Sequence, residues 1–389
     1  MLRLRRIALL IETSWSYGRG LLRGIGSYAR LRGNWVLSHG ERGLEEAPPQ
    51  WLTSWRGDGV IARIETDELA EAVVQLGLPT VDLSGSHDLP GVVSMITDPV
   101  ATAELAVEHL IECGFDNLAF CGYPRIPFSD ARCAAFLEAA ARHDRSAAEY
   151  EPRRRDRDDT LTLAREVQIG EHDRALPRWL ARLPRPVGIM ACNDERGRQV
   201  LRACRGAELD VPEQIAVIGV DNDEVDCELA NPSLSSVAPT TLDIGFRAAA
   251  LVDRMIDGEP TREGVQYITP SHVEQRRSTD VVVASDPHVA AALRFIRGHV
   301  CEGVNVEDVL SSVMISRSTL ERRFAEAVGR SPKDHITHVR LSHVKRLLRE
   351  TDLALPAIAE HTGFKTYAHL SRVFRKATGQ TPGKYRHRR

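Results

Sequence analysis

The sequence predicts two α/β lobes followed by an all-α domain that carries two helix-turn-helix motifs. Three observations predict it. Short β-branched or apolar runs alternate with amphipathic stretches up to about residue 280, the period becomes helical from Pro287 onward, and the charge changes sign at the same place. Residues 285–389 hold 19 Lys plus Arg against 10 Asp plus Glu, or +9, and the preceding residues hold 32 against 44, or −12; the sum is the formal net charge of −3. The small total therefore hides two objects. A basic C-terminal third is the footprint of something that meets phosphates, while the acidic remainder would be repelled by them and must do another job.

At 389 residues and 42% hydrophobic composition, the chain can bury a large core and is expected to split into two or three domains. Its first residues, "MLRLRRIALLIETSW", place basic residues before an apolar run, but that run is only Ile7 to Ile11 before Glu12 arrives, which reads as a first strand rather than a signal peptide. No run approaches the ~20 apolar residues that a membrane span needs, so a cytoplasmic protein with no membrane partner is expected. The seven Cys are scattered and never spaced C-x-x-C; they read as reduced, mostly buried thiols, with neither a disulfide framework nor a metal site.

In the front part the order is residues 6–11 as strand and 21–31 as helix, then 59–64 and 67–76, strand 80–83, strand 117–121 and helix 131–142, strand 188–192 and helix 195–205, and strand 214–220. Strand and helix in alternation give a parallel sheet with helices on both faces. Two such runs occur, one ending near Gly114 and one beginning near Phe115, and the loops after their strands should face a ligand crevice between two lobes. "ETSWSYGR" follows the first strand and supplies Trp15, Tyr17 and Arg19; "ITDP", "CNDE" and "GVDNDE" supply Asp98, Asn193, Asp194 and Asp221, with Arg132 beside them. Carboxylate and amide oxygens set against ring faces suit a polyhydroxylated ligand, whose hydroxyls need both acceptors and donors once dehydrated. Taken singly, each Asp or Asn after a strand is more often a turn former or helix N-cap, and only the recurrence favours a cleft. "YGRGLLRG" has the look of a phosphate loop, but Gly18-x-Gly20-x-x-x-Gly24 does not match the dinucleotide fingerprint.

From Pro287, Val289, Leu293, Ile296 and Val300 recur at spacings of three and four, followed by helices over 306–313 and 316–328. Ser316 is a good N-cap, and the tight turn falls at Met314–Ile315. Leu320 and Phe324 point inward, leaving Arg317, Ser318, Glu321 and Arg322 outside, the pattern of a helix-turn-helix. A connecting helix over 332–350, with Ile336, Val339 and Leu347 apolar, leads into a repeat: a short helix over 356–362, a turn at Gly363, and a second helix over 366–378 with Leu370 and Phe374 inward. "LERRFAEAVGRSP" and "LSRVFRKATGQTP" match at Leu, Arg, Phe, Gly and Pro. Tyr367, Ala368, Ser371, Arg372 and Arg375 are left to face a groove in double-stranded DNA. Residues 363–386 contain six Lys or Arg and no acid; Arg388 and Arg389 read as a loose tail.

"LLRGIGSYAR", "VEHLIECGFDNLAFCG", "NDERGRQVLRAC", "VPEQIAVIGVDND" and "PSLSSVAPTTLDIGFRAAALVDRMIDGE" resemble the effector domain of lac-repressor-type regulators, relatives of periplasmic sugar-binding proteins, from about Leu4 to Asp280. That resemblance implies a type I periplasmic-binding-protein-like sensor, here expected to start without a DNA-binding headpiece. "AEHTGFKTYAHLSRVFRKATGQTPGKYR" is similar to the AraC-type DNA-binding domain over residues 287–386. The combination resembles the xylose-operon regulator family. It implies a sugar-sensing domain over 1–280, a linker over 281–286, a DNA-binding domain over 287–389, and a transcription regulator that activates pentose genes. The implied partners are operator DNA, D-xylose or a related monosaccharide, a second copy in a homodimer, and RNA polymerase if the chain activates. Sugar choice would lie with the first loop and with Phe128 to Arg132. For the dimer, apolar residues near Leu21–Ile25 and Leu105–Leu110 read first as core and second as interface. A dinucleotide-dependent oxidoreductase would leave the basic third idle and has no His–Asp or Ser–Tyr–Lys constellation, so no catalytic residue and no cofactor is expected. A free-standing sugar-binding module would need export, which the N-terminus does not support.

Overall fold

Each apolar run in the front part is buried on both sides, as strands of a sheet covered by helices must be. The computed structural model describes residues 3–151, 173–261, 264–280, 286–328, 330–351 and 353–386. By its contacts the chain divides into two units, Met1–Asp280 and Val281–Arg389. Residues 281–285 of the expected linker lie outside the described residues, as do Arg388 and Arg389.

In the first unit the strands are β1 (Arg5–Leu10), β2 (Trp35–His39), β3 (Gly59–Ala62), β4 (Thr80–Asp82), β5 (Val92–Thr97), β6 (Asn117–Cys121), β7 (Ala147–Glu149), β8 (Val187–Ala191), β9 (Ile215–Val220), β10 (Ser235–Ala238), β11 (Gly264–Ile268) and β12 (His272–Glu274). They form two sheets, ordered β11-β5-β4-β3-β1-β2 and β12-β10-β9-β8-β6-β7. Every pairing is parallel except that of β10 with β12. Alternation along β1 divides the first lobe's core. Ile7 and Leu9 face helices Ser16–Arg32 and Thr241–Ile256, while Ala8 and Leu10 face helix Asp67–Leu76.

The lobes do not part near Gly114. The chain leaves the first sheet at Thr97, and helix Pro99–Glu112 packs on the second sheet, where a Cβ placed on Gly188 would lie 2.9 Å from Leu110 Cδ2. Helix Thr241–Ile256 and β11 then return to the first lobe, and β12 ends in the second. Three crossings between the lobes result, and periodicity reveals none of them because it identifies elements, not their partners. Leu21, Ile25, Val107 and Leu110 are fully buried, so these side chains are core.

The glycines of "YGRGLLRG" have a packing role. Helix Ser16–Arg32 meets helix Thr241–Ile256 at backbone distance: a Cβ on Gly20 would lie 2.1 Å from Thr241 Oγ1, and one on Gly245 would lie 2.1 Å from Leu21 O. Nothing in this geometry needs a phosphate.

His109, on helix Pro99–Glu112, contacts Thr279 Oγ1 at 2.7 Å, and burial pushes its imidazole down to about 4. The fold therefore prefers neutral His109, whereas the unfolded chain protonates this residue near pH 6.5. Its contribution is present above that pH and is lost as pH falls toward 4, amounting to about 2 kcal/mol by pH 5. Urea melts of the wild type should lose stability between pH 7 and 5, and His109→Gln should flatten that slope; parallel slopes would contradict it.

In the second unit the helices are Pro287–His299, Val306–Val313, Arg317–Val328, Pro332–Glu350, Leu355–His361, Tyr367–Thr378 and Pro382–Arg386. Asp286 caps the first, accepting from His288 N at 2.9 Å. The long helix serves two cores. Ile336 and Val339 join Leu293, Val309, Leu320 and Phe324, while Val344 and Leu348 join Ile358, Leu370 and Phe374. Six of the seven cysteines are buried and Cys301 is exposed, and none of the seven forms a disulfide. Among the described residues, no helix is long and apolar enough to cross a membrane.

Candidate functional site

The C-terminal ends of the strands in both lobes converge on one cleft, as the rule for parallel sheets requires. A cavity of about 170 Å³ lies there, lined by Trp15, Tyr17, Arg63, Thr97, Phe128, Arg132, Asp221 and Tyr267 among others. One water needs ~10–15 Å³ of such space, so the cavity has the scale of a monosaccharide. A second cavity of about 130 Å³ shares Trp15, Tyr17 and Asp221 and is lined further by Asn193, Asp194, Glu195, Asp223 and Asp226.

Asp221 follows β9 with a φ of 103° and brings its carboxylate to Arg132, Nη2 to Oδ1 3.5 Å. Burial pushes this carboxyl above the ordinary range, while Arg132 and Arg63 pull it back. Arg132 also donates to Cys192 O and lies 5.2 Å over the Phe128 ring. On the other wall the Arg63 guanidinium donates to Glu12 Oε1 at 2.6 Å and Glu65 Oε1 at 2.8 Å, and sits 5.1 Å over Tyr17. Burial works against the charge on Arg63, but Glu12 and Glu65 raise its pKa overall. Tyr17 exchanges a hydrogen bond with Thr97 Oγ1 at 3.1 Å, and burial holds its phenol above the usual value. Fixed guanidinium donors, a carboxylate acceptor and the Trp15, Tyr17 and Phe128 rings can together hold a neutral polyol by its hydroxyls and its C–H faces.

Of the nine residues expected from sequence, Trp15, Tyr17, Phe128, Arg132 and Asp221 line the larger cavity. Asn193 and Asp194 line only the smaller one. Asn193 Oδ1 caps helix Asp194–Gly206 by accepting from Arg196 N at 2.9 Å. Asp194 accepts from Asp223 N at 2.7 Å and Ser236 Oγ at 2.6 Å, which pins the loop that carries Asp221. Burial, with Asp221 nearby, raises the Asp194 pKa well above the ordinary range. Two expected residues line neither cavity. Arg19 donates to Thr13 O and Ser14 O at 2.8 and 2.7 Å, tying down the first loop. Asp98 is the N-cap of helix Pro99–Glu112, accepting from Val100 N at 2.8 Å. Sequence reasoning missed Arg63, Thr97 and Tyr267. Arg63 directly follows β3, so the rule applied to the other strands would have found it; Tyr267 comes from the returning strand β11, which carries no such signal.

In the second unit, Leu320, Phe324, Leu370 and Phe374 are fully buried. Arg317, Ser318, Glu321, Arg322, Ala368, Arg372 and Arg375 are exposed, and Tyr367 and Ser371 half-buried. Ser316 Oγ accepts from Thr319 N at 3.3 Å and Thr366 Oγ1 from His369 N at 3.2 Å, so each outward helix is capped. The turns before them differ. Met314 adopts a φ of 50°, and Gly363 has a φ of 72° with its Cα so near the backbone that a Cβ would meet Val300 O at 2.4 Å. Two capped, polar-faced helices, each held by its own core, are the elements a helix-turn-helix pair presents to major grooves.

Comparison with known proteins covers the whole chain. Residues 6–103 match a XylR N-terminal domain, 107–279 a periplasmic binding protein-like domain, and 310–388 a helix-turn-helix domain. The xylose operon regulatory protein of Escherichia coli (strain K12) is 34% identical over 392 residues, covering 98% of this chain and 96% of that protein. The protein of the same description from Haemophilus influenzae is 30% identical and covers 98% of each. Among solved structures, the xylose-binding transcription activator xylR superposes with a TM-score of 0.71 at 32% identity, over 99% of this chain and 98% of that one. A CelR–cellobiose complex, at 23% identity and a TM-score of 0.55, shares the fold of the sensor.

Proposed function

We propose that this chain, which belongs to the xylose operon regulatory protein family, takes D-xylose or a closely related monosaccharide as its effector in the cleft between its two lobes. It is a sugar-responsive, DNA-binding transcription regulator, and its homologues are regulators too. On this reading it acts in the cytoplasm as a homodimer, without enzymatic activity, and engages RNA polymerase to activate pentose catabolic genes. Residues 1–280 sense the sugar and 287–389 bind the operator. Trp15, Tyr17, Phe128, Arg132 and Asp221, joined by Arg63, hold the ligand; Arg317, Ser318, Glu321, Arg322, Tyr367, Ala368, Ser371, Arg372 and Arg375 face the DNA.

The observation that carries this reading is the cleft itself. It is the size of a single sugar, it offers both a carboxylate and guanidinium groups, and its Arg63 is already neutralised by Glu12 and Glu65. An anionic ligand would thus meet Asp221 without a free cation to offset it. A neutral sugar meets no such penalty.

The effector and operator sites should be thermodynamically coupled. Coupling of ~1–3 kcal/mol changes each affinity about 5–150-fold, and linkage makes the effect reciprocal. Calorimetry of the full-length chain with D-xylose, L-arabinose, D-ribose and D-glucose should find one that binds, and more tightly when operator DNA is present. Equal affinities with and without DNA would overturn the switch; binding of none of these sugars would overturn the effector.

A further inference from the structure

The two outward helices of the second unit share a sequence pattern but not an electrostatic state. On helix Arg317–Val328 all three arginines are engaged within the chain. Arg317 donates to Glu321 at 3.0 Å and to Glu307 at 2.9 Å, Arg322 donates to both oxygens of Glu326 at 3.0 and 3.2 Å, and Arg323 donates to Asp286 at 2.9 Å. On helix Tyr367–Thr378 there is no acid at all, and residues 363–386 contain none. Among the described residues no carboxylate pairs with Arg372, Arg375 or Lys376, nor with Lys365 and Lys384 on either side.

From this asymmetry we propose that the two helix-turn-helix motifs divide the work of binding DNA. The second supplies most of the affinity. The first is restrained by its own acids, and Glu307, Glu321 and Glu326 hold Arg317 and Arg322 away from DNA until an operator of the right sequence draws them out. The inference rests on the DNA-reading role proposed above.

The physical basis is a competition for guanidinium groups. A phosphate or guanine can take a guanidinium only by displacing the carboxylate that holds it, and that carboxylate is then left beside the negative backbone of the DNA. The pairs are easily broken because they are exposed: Arg317 and Arg322 side chains are 58% and 62% accessible. An exposed pair of this kind restrains its arginine by about fivefold at most. That strength suits a restraint, since it filters out random sequence without blocking a good site. Arg372 and Arg375 face no such competitor and can neutralise phosphates or read base edges at once.

Four full-length proteins decide the matter, measured against a duplex selected by the wild type from a random-sequence pool and against a scrambled duplex. Their melting temperatures should agree, since every substituted side chain is exposed. The triple variant Glu307→Gln, Glu321→Gln, Glu326→Gln should bind both duplexes several-fold more tightly than wild type and discriminate between them less. Arg317→Gln with Arg322→Gln should weaken the selected duplex far less than Arg372→Gln with Arg375→Gln. The latter pair should cost about 5–150-fold per side chain if each reads a base. It should also flatten the salt dependence, by about 1.8 in slope if both instead meet phosphates.

Weaker binding or an altered base preference in the Glu307, Glu321, Glu326 variant would make those acids readers of DNA and overturn the restraint. Equal losses from the two arginine pairs would make the motifs equivalent and overturn the division. Full binding by the Arg372, Arg375 variant would instead refute the DNA-reading assignment on which the proposal stands.

Discussion

Asp221→Asn should bind D-xylose about 2–30-fold more weakly than wild type while melting at nearly the same temperature. The substitution keeps the shape and the unusual backbone of this position, φ 103°, which asparagine tolerates better than most residues. What it removes is the negative charge that, on the proposed reading, accepts from sugar hydroxyls. A hydrogen bond to a charged group contributes ~1.5–3 kcal/mol, against about 1 for a neutral one. The unliganded protein loses little, because burial already works against the charge on Asp221 and Arg132 keeps its bond to Cys192 O. Calorimetry and a thermal melt on the same sample separate the two effects. Unchanged affinity would place the sugar elsewhere, and a large fall in melting temperature would make Asp221 a structural residue instead.

Gly24→Ala should destabilise the sensor unit by about 1–2 kcal/mol, against what helix propensity alone says. In an exposed helix interior the change from glycine to alanine gains ~1 kcal/mol. Gly24, however, faces the backbone of helix Thr241–Ile256, and a Cβ there would lie 2.2 Å from Leu242 O and 2.9 Å from Phe246 N. Neither atom can rotate away, so the helices must separate and expose the core that contains Leu21, Ile25, Ile244 and Ala248. Overpacking of this kind costs ~1–3 kcal/mol and occasionally more, enough to outweigh the propensity gain. For a unit of this size the melting temperature should fall by roughly 2–8 °C. A rise would show that propensity decides and that the helices have room to give.

The same glycine shows where reading the chain linearly runs out. As a string, Gly18, Gly20 and Gly24 suggest a ligand loop; folded, Gly20 and Gly24 let two helices meet that lie more than 200 residues apart in the chain, while Gly18 lies against Glu12. The acidic residues after the strands divide in a similar way. Asp98, Asn193 and Asp221 are all polar residues after strands, yet Asp98 and Asn193 cap helices and only Asp221 lines the larger cavity. Local sequence is the same kind of signal in all three, and the direction of the following backbone decides between them. In the second unit the reading was fuller. Ser316, Gly363, Leu320, Phe324, Leu370 and Phe374 take the positions their spacing implies, because capping, turn geometry and helical period act over a few residues.

By itself, then, the sequence determined β1, β3, β4, β6, β8 and β9 and the helices from Pro287 to Thr378, the change from an acidic α/β part to a basic helical part, the repeat of the two outward helices, and the resemblance to a family of sugar-responsive regulators. These are properties of composition and of short-range periodicity, which survive without knowledge of what packs on what. Only the tertiary structure decided that helix Pro99–Glu112 belongs to the second lobe, that helix Thr241–Ile256 and β11 return to the first, that Arg63 and Tyr267 join the cleft, and that the arginines of one outward helix are bound to acids while those of the other are not. Each of these depends on a distance between residues far apart in the chain or on the rotamer of a long side chain, and such distances are set by how whole layers pack against one another.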